Sequence, residues 1–135
     1  IIPVVGKGYG LMQPIYAKDL ATVIAQAYTN DISIGKAYNV AGRTAIRFCD
    51  IMAMIAKNLG VNRIFINVPY PMALLGGYLG QIIGSSLINV ERIQRLQEDK
   101  VFNYEEASKD LGFSPIAFEE GIKLEVASLK QAGII

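Results

Sequence analysis

The side chains that could do chemistry are few in this sequence. Among its 135 residues there is one cysteine, Cys49, and there is no histidine. A Ser-His-Asp triad, a Cys-His pair, a His-rich metal site and an internal disulfide each need residues that the chain lacks. These enzyme classes are therefore excluded, and Cys49 is predicted to be a small buried or half-buried residue of a helix.

A glycine-rich loop, Gly6–Gly10, is the first segment that suggests a ligand. Glycines allow backbone N–H groups to approach a phosphate, but a dinucleotide-binding fingerprint leads directly into a helix. This loop instead continues past Pro14 before a helix can begin. The pattern therefore favours a turn with glycines at positive φ, and phosphate binding remains the alternative.

The charged residues do not form an obvious acid/base pair. Glu105 and Glu106 are adjacent, as are Glu119 and Glu120, so the two members of each pair point apart on a helix. They are better explained as negative charge at helix N-termini. The formal net charge of +1 argues against a nucleic-acid partner, which would require concentrated Lys and Arg.

The composition indicates apolar surface that is normally covered. Hydrophobic residues make up 52% of the chain, charged residues 19%, and the mean hydropathy is +0.33. The sequence opens with Ile1–Val5, which resembles part of a strand and not a signal peptide. We therefore expect a single domain, residues 1–135, that is a piece of a longer cytoplasmic protein and that self-associates through its uncovered apolar surface.

The hydrophobic periodicity predicts the elements that must position any site. Helical spacing follows Leu20–Tyr28, Phe48–Leu59, the segment from Asn89 to Leu96, Glu105–Leu111 and Phe118–Leu129, with Gly60 and Gly112 as stops. Extended segments are predicted at Ile1–Val5, Lys36–Val40 and Arg63–Val68.

A segment without charge runs from Ile64 to Val90, and Gly76, Gly80 and Gly84 share one helical face within it. A membrane span is not expected, because two prolines and several polar residues interrupt the apolar run. A buried helix with a closely packed small face is the preferred interpretation. A docking surface over residues 69–88 is the alternative.

Taken in order, several segments resemble the C-terminal portion of an extended short-chain dehydrogenase/reductase, the NAD(P)-dependent epimerase/dehydratase family. They cover nearly the whole chain. They are Pro3–Gly8, Gln13–Ala21 (similar to the family's hV-x-D-lA segment), Gly35–Gly42, and Ala107–Pro115 with Phe118–Gly121.

The resemblance implies an α/β fold: a small mixed substrate-binding domain with the last strand or strands of a Rossmann-type sheet, which Tyr38–Val40 would join. In this family the cofactor loop and the catalytic Tyr-x-x-x-Lys lie in the preceding, N-terminal half. No tyrosine of this chain has a lysine four residues later. The resemblance thus implies NAD or NADP in the parent protein, no cofactor bound by this chain alone, and no catalytic residue here.

The resemblance also implies that the loop from Tyr9 to Gln13 faces a small-molecule substrate, with Asp19 capping the helix that follows. The predicted substrate-binding residues are Tyr9, Met12, Gln13 and Arg95. Sugar-nucleotide epimerases usually carry an arginine where this chain has Met12-Gln13, so a nucleotide-sugar substrate is not predicted. Arg95 is a second candidate cation for the cleft, although a surface helix position is the preferred interpretation.

Two functions from different classes remain open. The chain is either the substrate-binding portion of an NAD(P)-dependent oxidoreductase or epimerase, inactive alone, or an accessory protein of this fold. In the second case the apolar surface at residues 69–88 would bind a protein partner or a membrane face. The upstream sequence would distinguish them, because an enzyme needs the glycine loop and the Tyr-x-x-x-Lys group.

Overall fold

The computed structural model describes residues 2–82, 90–95 and 98–135 of the chain. Within those ranges the strands are β1 (Ile2–Val5), β2 (Leu11–Met12), β3 (Ile46–Arg47) and β4 (Phe65–Val68). The α-helices are α1 (Ala17–Thr29), α2 (Phe48–Leu59), α3 (Tyr70–Ile82), α4 (Val90–Arg95), α5 (Glu105–Leu111) and α6 (Phe118–Gln131).

The chain divides into two compact units, each made from two separate stretches of sequence. The first unit comprises Ile1–Leu11 and Arg47–Asp99, and the second comprises Met12–Ile46 and Lys100–Ile135. β2 and β3 pair as a two-stranded sheet, and the division between the units falls within both strands. Each unit mixes helices with extended backbone, which agrees with the predicted α/β class.

The first unit is built on a parallel pair of strands. β1 pairs with β4 in a register that places Ile2 opposite Phe65 and Val5 opposite Val68. Parallel strands need a crossover connection, which here includes α2. Val4 and Ile51 are buried, and α3 packs against α4. The predicted strands at both ends of this connection are therefore confirmed, as is the end of α2 at Gly60.

The second unit is helical and has its own apolar core. Val23 of α1 packs with Ala107 and Leu111 of α5 and with Phe113, and all four residues are buried. The ring of Phe113 meets that of Tyr104 edge to face, with 5.5 Å between the ring centroids. The predicted helices α1, α5 and α6 are confirmed. The apolar stripes of α1 and α5 supply this core, and α6 buries Gly121 and Val126.

The predicted strand at Lys36–Val40 is wrong. This segment has no regular secondary structure, and within the described residues it pairs with no neighbouring strand. Tyr38 and Val40 instead pack against the helical core of the second unit. Alternating apolar residues indicate a half-buried extended segment, but a strand also needs a hydrogen-bonding partner.

The preferred interpretation of the uncharged segment is also wrong over the part that the structure describes. The glycine face of α3 is not closely packed, because Gly76 is exposed, Gly80 is only half-buried, and a Cβ placed on Gly76 would touch nothing within 4 Å. The helix buries Ala73 and Gly77 instead. Gly84 and the predicted helix cap Asn89 lie outside the described residues.

Candidate functional site

Tyr9 presents an exposed aromatic ring with two positive charges beside it. The residue is 58% exposed, and the Arg47 guanidinium carbon lies 5.1 Å from the ring centroid. The Lys7 ammonium lies 5.9 Å from the same centroid. Both distances fall within the range of cation–π attraction. Neither cation forms an ion pair within the part of the chain that the structure describes. This surface suits a ligand with an aromatic or negatively charged group.

The backbone of the glycine loop is hydrogen-bonded to the start of the neighbouring helix. The carbonyl of Gly8 accepts a hydrogen bond from the Cys49 amide at 3.1 Å, and that of Gly10 accepts one from the Phe48 amide at 3.0 Å. These are the first amides of α2, which have no partner inside the helix. Gly6 and Gly8 both have a φ of 63°. The predicted turn is confirmed, and its carbonyls accept from two of the amides that an anion at the start of α2 would need.

Gln13 is held at both ends of its side chain by the backbone of the second unit. Its Nε2 donates to the Gly42 carbonyl at 2.7 Å, and its Oε1 accepts from the Phe102 amide at 2.8 Å. The Gly42 amide also donates to the Gln13 carbonyl at 3.1 Å. Gln13 therefore joins three segments of the unit. Its predicted contact with substrate stays a prediction, and such a contact would have to replace one of these bonds.

Met12 and Arg95, the other two predicted substrate-binding residues, make different contacts from Gln13. Met12 is half-buried at the end of β2 and forms an isolated parallel bridge with Lys100. The Arg95 side chain is 63% exposed on α4, and its guanidinium bonds Glu91 one turn earlier at 2.8 Å. This i, i+4 pair is typical of a solvated helix surface. Tyr9 and Arg95 belong to the first unit, whereas Met12 and Gln13 belong to the second.

Sequence reasoning missed a polar cluster in the second unit. The Lys36 ammonium lies 2.7 Å from Asp110 Oδ2, and the Tyr38 hydroxyl donates to the same oxygen at 2.9 Å. The hydrogen bond from Lys36 is the main reason that the pKa of Asp110 lies below its usual value. Burial, followed by the bond to Asp110, raises the pKa of Tyr38. A tyrosine acting as a base near neutral pH needs the opposite shift, so the cluster is suited to holding segments together.

We predict that this cluster makes stability depend on pH at acid values. The pKa of Asp110 is lower in the folded chain than in the unfolded one, so its stabilising contribution is present above about pH 4 and is lost as pH falls through the folded pKa. Asp110→Asn should therefore flatten the fall in melting temperature between pH 5 and pH 2. Circular dichroism melts measure this slope.

Asp31→Asn is the control for that experiment, because Asp31 is exposed and its carboxylate makes no ion pair within the described ranges. Its slope should match that of the unmodified chain. At alkaline pH the signs reverse: the bond to Asp110 raises the pKa of Lys36, so that contribution is lost as pH rises through the folded pKa. Equal acid slopes in all three proteins would contradict the assignment.

A small apolar cleft lies in the second unit, between the start of α1 and α6. Its volume is about 210 Å³, and it is lined by Ile15–Ala17, Ile116–Phe118, Gly121, Ile122 and Glu125. This volume suits one apolar group of side-chain size. Glu125 is the acidic residue of the lining. A Cβ on Gly121 would lie 3.3 Å from the Tyr16 Cβ, so the glycine allows the close approach of the two walls.

Asp19 fastens one wall of this cleft to the other and does not cap α1. Its Oδ2 accepts from the Ile116 amide at 2.9 Å, and the N-cap position is Tyr16, which makes no side-chain capping bond. The expectation that Asp19 caps the helix is therefore wrong. The carboxylate stands in the first turn, where it also meets the positive end of the helix dipole.

Two kinds of site find no support in the described part of the chain. Residues 2–82, 90–95 and 98–135 contain no group of three or more potential metal ligands. Over the same residues, no helix has the length and apolar character needed to span a bilayer.

Comparison with solved structures shows which fold this is. The protein gox2253 matches with a TM-score of 0.71 and 21% identity, over 98% of this chain and 40% of that chain. UDP-glucuronic acid 4-epimerase from Bacillus cereus, in complex with NAD, matches with a TM-score of 0.64 and 17% identity, over 96% and 34%. dTDP-glucose 4,6-dehydratase from Bacillus anthracis, also with NAD, gives 0.65 and 15%, over 96% and 34%.

The chain thus spans between 34% and 40% of the length of these three proteins. No protein-family model matches the sequence, and no curated protein matches it significantly. The similarity shows that the chain has the fold of one portion of the NAD(P)-dependent epimerases and dehydratases, as the sequence motifs predict.

Proposed function

We propose that the chain is the substrate-binding portion of an NAD(P)-dependent epimerase, dehydratase or reductase and that it is inactive alone. The observation that carries the proposal is the fold: nearly all of this chain matches about a third of two NAD-bound enzymes. The sequence supports the assignment of catalysis to residues outside the chain, because it contains no Tyr-x-x-x-Lys. On this proposal the parent protein binds NAD or NADP through residues outside the chain, and its cytoplasmic location stays a prediction.

Within the chain, we assign the substrate contact to the exposed Tyr9 ring and the two cations beside it. An aromatic ring can stack on a flat substrate, and Lys7 and Arg47 can neutralise an acidic group on it. The loop that carries Tyr9 is tied to α2 through Gly8 and Gly10. A fixed loop holds the ring in place before substrate arrives, which reduces the entropy lost on binding.

Cofactor binding by the isolated chain tests the proposal first. Titration calorimetry with NADH and with NADPH is expected to show no binding at micromolar concentration, because on this proposal the loop and helix N-terminus that take the pyrophosphate lie outside the chain. The first two amides of α2 are also already bonded to loop carbonyls. The protein made from the complete reading frame is expected to bind one of the two. Micromolar binding by the 135-residue chain would refute the assignment, as would failure of both cofactors to bind the complete protein.

The substrate contact has its own test in the complete protein. Once turnover is found, Tyr9→Ala should raise KM about tenfold or more, because an interfacial aromatic anchor is lost. Tyr28→Ala is the matched control, since Tyr28 is 91% exposed on α1 in the other unit and should leave KM unchanged. Equal KM values for both variants would remove Tyr9 from the site.

The accessory-protein alternative is favoured by one observation, the exposed apolar surface of α3. It would apply if the complete reading frame lacked the cofactor loop and the catalytic tyrosine. The cofactor titration therefore separates the two functions, since an accessory protein without that loop would bind neither NADH nor NADPH.

A further inference from the structure

The cleft between the start of α1 and α6 has walls that are held in place before a ligand arrives. Asp19 Oδ2 accepts a hydrogen bond from the Ile116 amide at 2.9 Å, which ties the α1 side of the cleft to the segment before α6. Gly121 is buried, and a Cβ on it would lie 3.3 Å from the Tyr16 Cβ and 3.5 Å from the Tyr16 Cγ. Because these contacts already order the walls, a ligand would lose little free energy in ordering them.

The size of the cleft limits its ligand to one small group. The volume is about 210 Å³. A protein cavity of about 150 Å³ binds benzene, whereas pockets for drug-sized molecules begin at about 300 Å³. The cleft therefore accommodates a compact group that is a little larger than a benzene ring, and it is too small for a nucleotide or a helix.

The residue types of the lining narrow the choice further. Tyr16 comes from the α1 wall and Phe118 from the α6 wall, and most of the other lining residues are aliphatic. Among the described residues that line the cleft, Glu125 is the only one with a charged side chain. Aromatic rings attract a cation through their negative faces, and a carboxylate attracts it by its charge. The lining therefore favours a group that combines a positive charge with an apolar surface.

The charges around the cleft favour the same sign of ligand. The segments that form it, residues 15–19 and 116–125, contain four acidic residues and two lysines. One of these lysines, Lys123, already pairs with Glu119 at 3.3 Å. A negative surrounding attracts a cation to the cleft and repels an anion.

We propose that this cleft binds a small free molecule through a quaternary ammonium group. Such a group is compact, carries a full positive charge and presents methyl groups in place of N–H donors. A primary ammonium has three N–H donors, and leaving them without acceptors in an apolar lining would be costly. Aromatic residues that contact a quaternary ammonium use the same cation–π attraction. The cleft belongs to the second unit and Tyr9 to the first, so the inference does not depend on the proposed enzymatic function.

Nuclear magnetic resonance titration of the isotope-labelled chain with choline tests the proposal. The amide signals of Ile116 and Gly121 should shift with a dissociation constant of about 1 mM, because so small a ligand makes few contacts. Tetramethylammonium should bind similarly. The neutral isostere of choline, in which carbon replaces the nitrogen, should bind about fivefold or more weakly, because it loses both the cation–π attraction and the attraction to the carboxylate.

Two variants assign the binding to the residues of the cleft. Glu125→Gln should raise the dissociation constant for choline about threefold or more and leave that of the neutral isostere unchanged. Phe118→Leu keeps an apolar side chain and should weaken choline more than the isostere. Glu105→Gln is the matched control, since Glu105 is exposed on α5 of the same unit and outside the lining of the cleft. Circular dichroism checks that each variant retains its helix content.

Three results would overturn the proposal. The first is the absence of any shift at choline concentrations far above the expected dissociation constant, and the second is equal affinity for choline and its neutral isostere. The third concerns the source of the group, since a lipid headgroup also carries quaternary ammonium. A bilayer would have to approach the charged first turns of α6, so vesicles of phosphatidylcholine should not bind the chain. Flotation of the chain with these vesicles would assign the cleft to a lipid instead of a free molecule.

Discussion

Gly42→Ala is expected to destabilise the second unit more than any other single glycine substitution discussed for it. A Cβ on this residue would lie 1.9 Å from the Pro14 carbonyl oxygen and 2.7 Å from its carbon. Both atoms belong to the backbone, so no side-chain rotation can relieve the contact. Separating the segments would also stretch the bonds between Gln13 and Gly42. We expect a loss of about 3 kcal/mol or more in the free energy of unfolding, a large part of the stability of a small unit.

Gly35→Ala is the matched control for this variant. Gly35 lies in the same unit and has a φ of 72°, but a Cβ there would meet nothing within 4 Å. Its expected cost is about 1–2 kcal/mol, because only the left-handed backbone conformation resists a side chain. Urea titrations followed by circular dichroism give both values. A Gly42 variant no less stable than the Gly35 variant would show that the chain avoids the clash by moving Pro14 freely.

Phe113→Ala should destabilise the same unit by about 3–5 kcal/mol, because a buried ring is removed and the cavity closes only partly. Phe113 is 4% exposed and packs in the cluster with Val23, Ala107 and Leu111. Phe102→Ala is its control, since Phe102 is 52% exposed and should cost less than about 1 kcal/mol. Urea unfolding compares them directly. Similar losses in both variants would place the core of this unit elsewhere.

The elements that the sequence predicts correctly are those determined by nearby residues. The spacing of Phe48–Leu59 and the glycine after it predict α2 and its end, because a helix and its stop signal lie within a few turns. α5 and its end at Gly112 follow in the same way. The predicted strand at Lys36–Val40 fails because pairing depends on a second segment that periodicity does not reveal.

The side-chain contacts that hold the second unit together could not be predicted, because they join residues far apart in sequence. Asp19 and Ile116 are 97 positions apart, and Lys36 and Asp110 are 74 apart. A carboxylate in the first turn of a helix looks the same whether it caps that helix or bonds a distant amide. The exposed face of α3 could not be predicted either, because the sequence of a helix without charged residues does not indicate which face meets water.

These long-range bonds show what residues of two family-like motifs do in the structure. The motif Gln13–Ala21 contributes Asp19, and the segment Ala107–Pro115 contributes Asp110. Each carboxylate holds another part of the second unit, and Gly121 lets α6 approach Tyr16. These two motifs therefore contain residues that build the second unit, whereas Tyr9, the exposed candidate for substrate contact, lies in the first unit.

The interleaved construction of the two units has a consequence for synthesis on the ribosome. The first unit is complete once Asp99 has emerged, although Met12–Ile46 is already outside and has no core to join. Val23 must wait for Ala107, Leu111 and Phe113, which are translated later. During that interval the apolar face of α1 is available to chaperones and proteases. A translational pause near Lys100 should therefore lower the yield of folded chain more than a pause near Ile46.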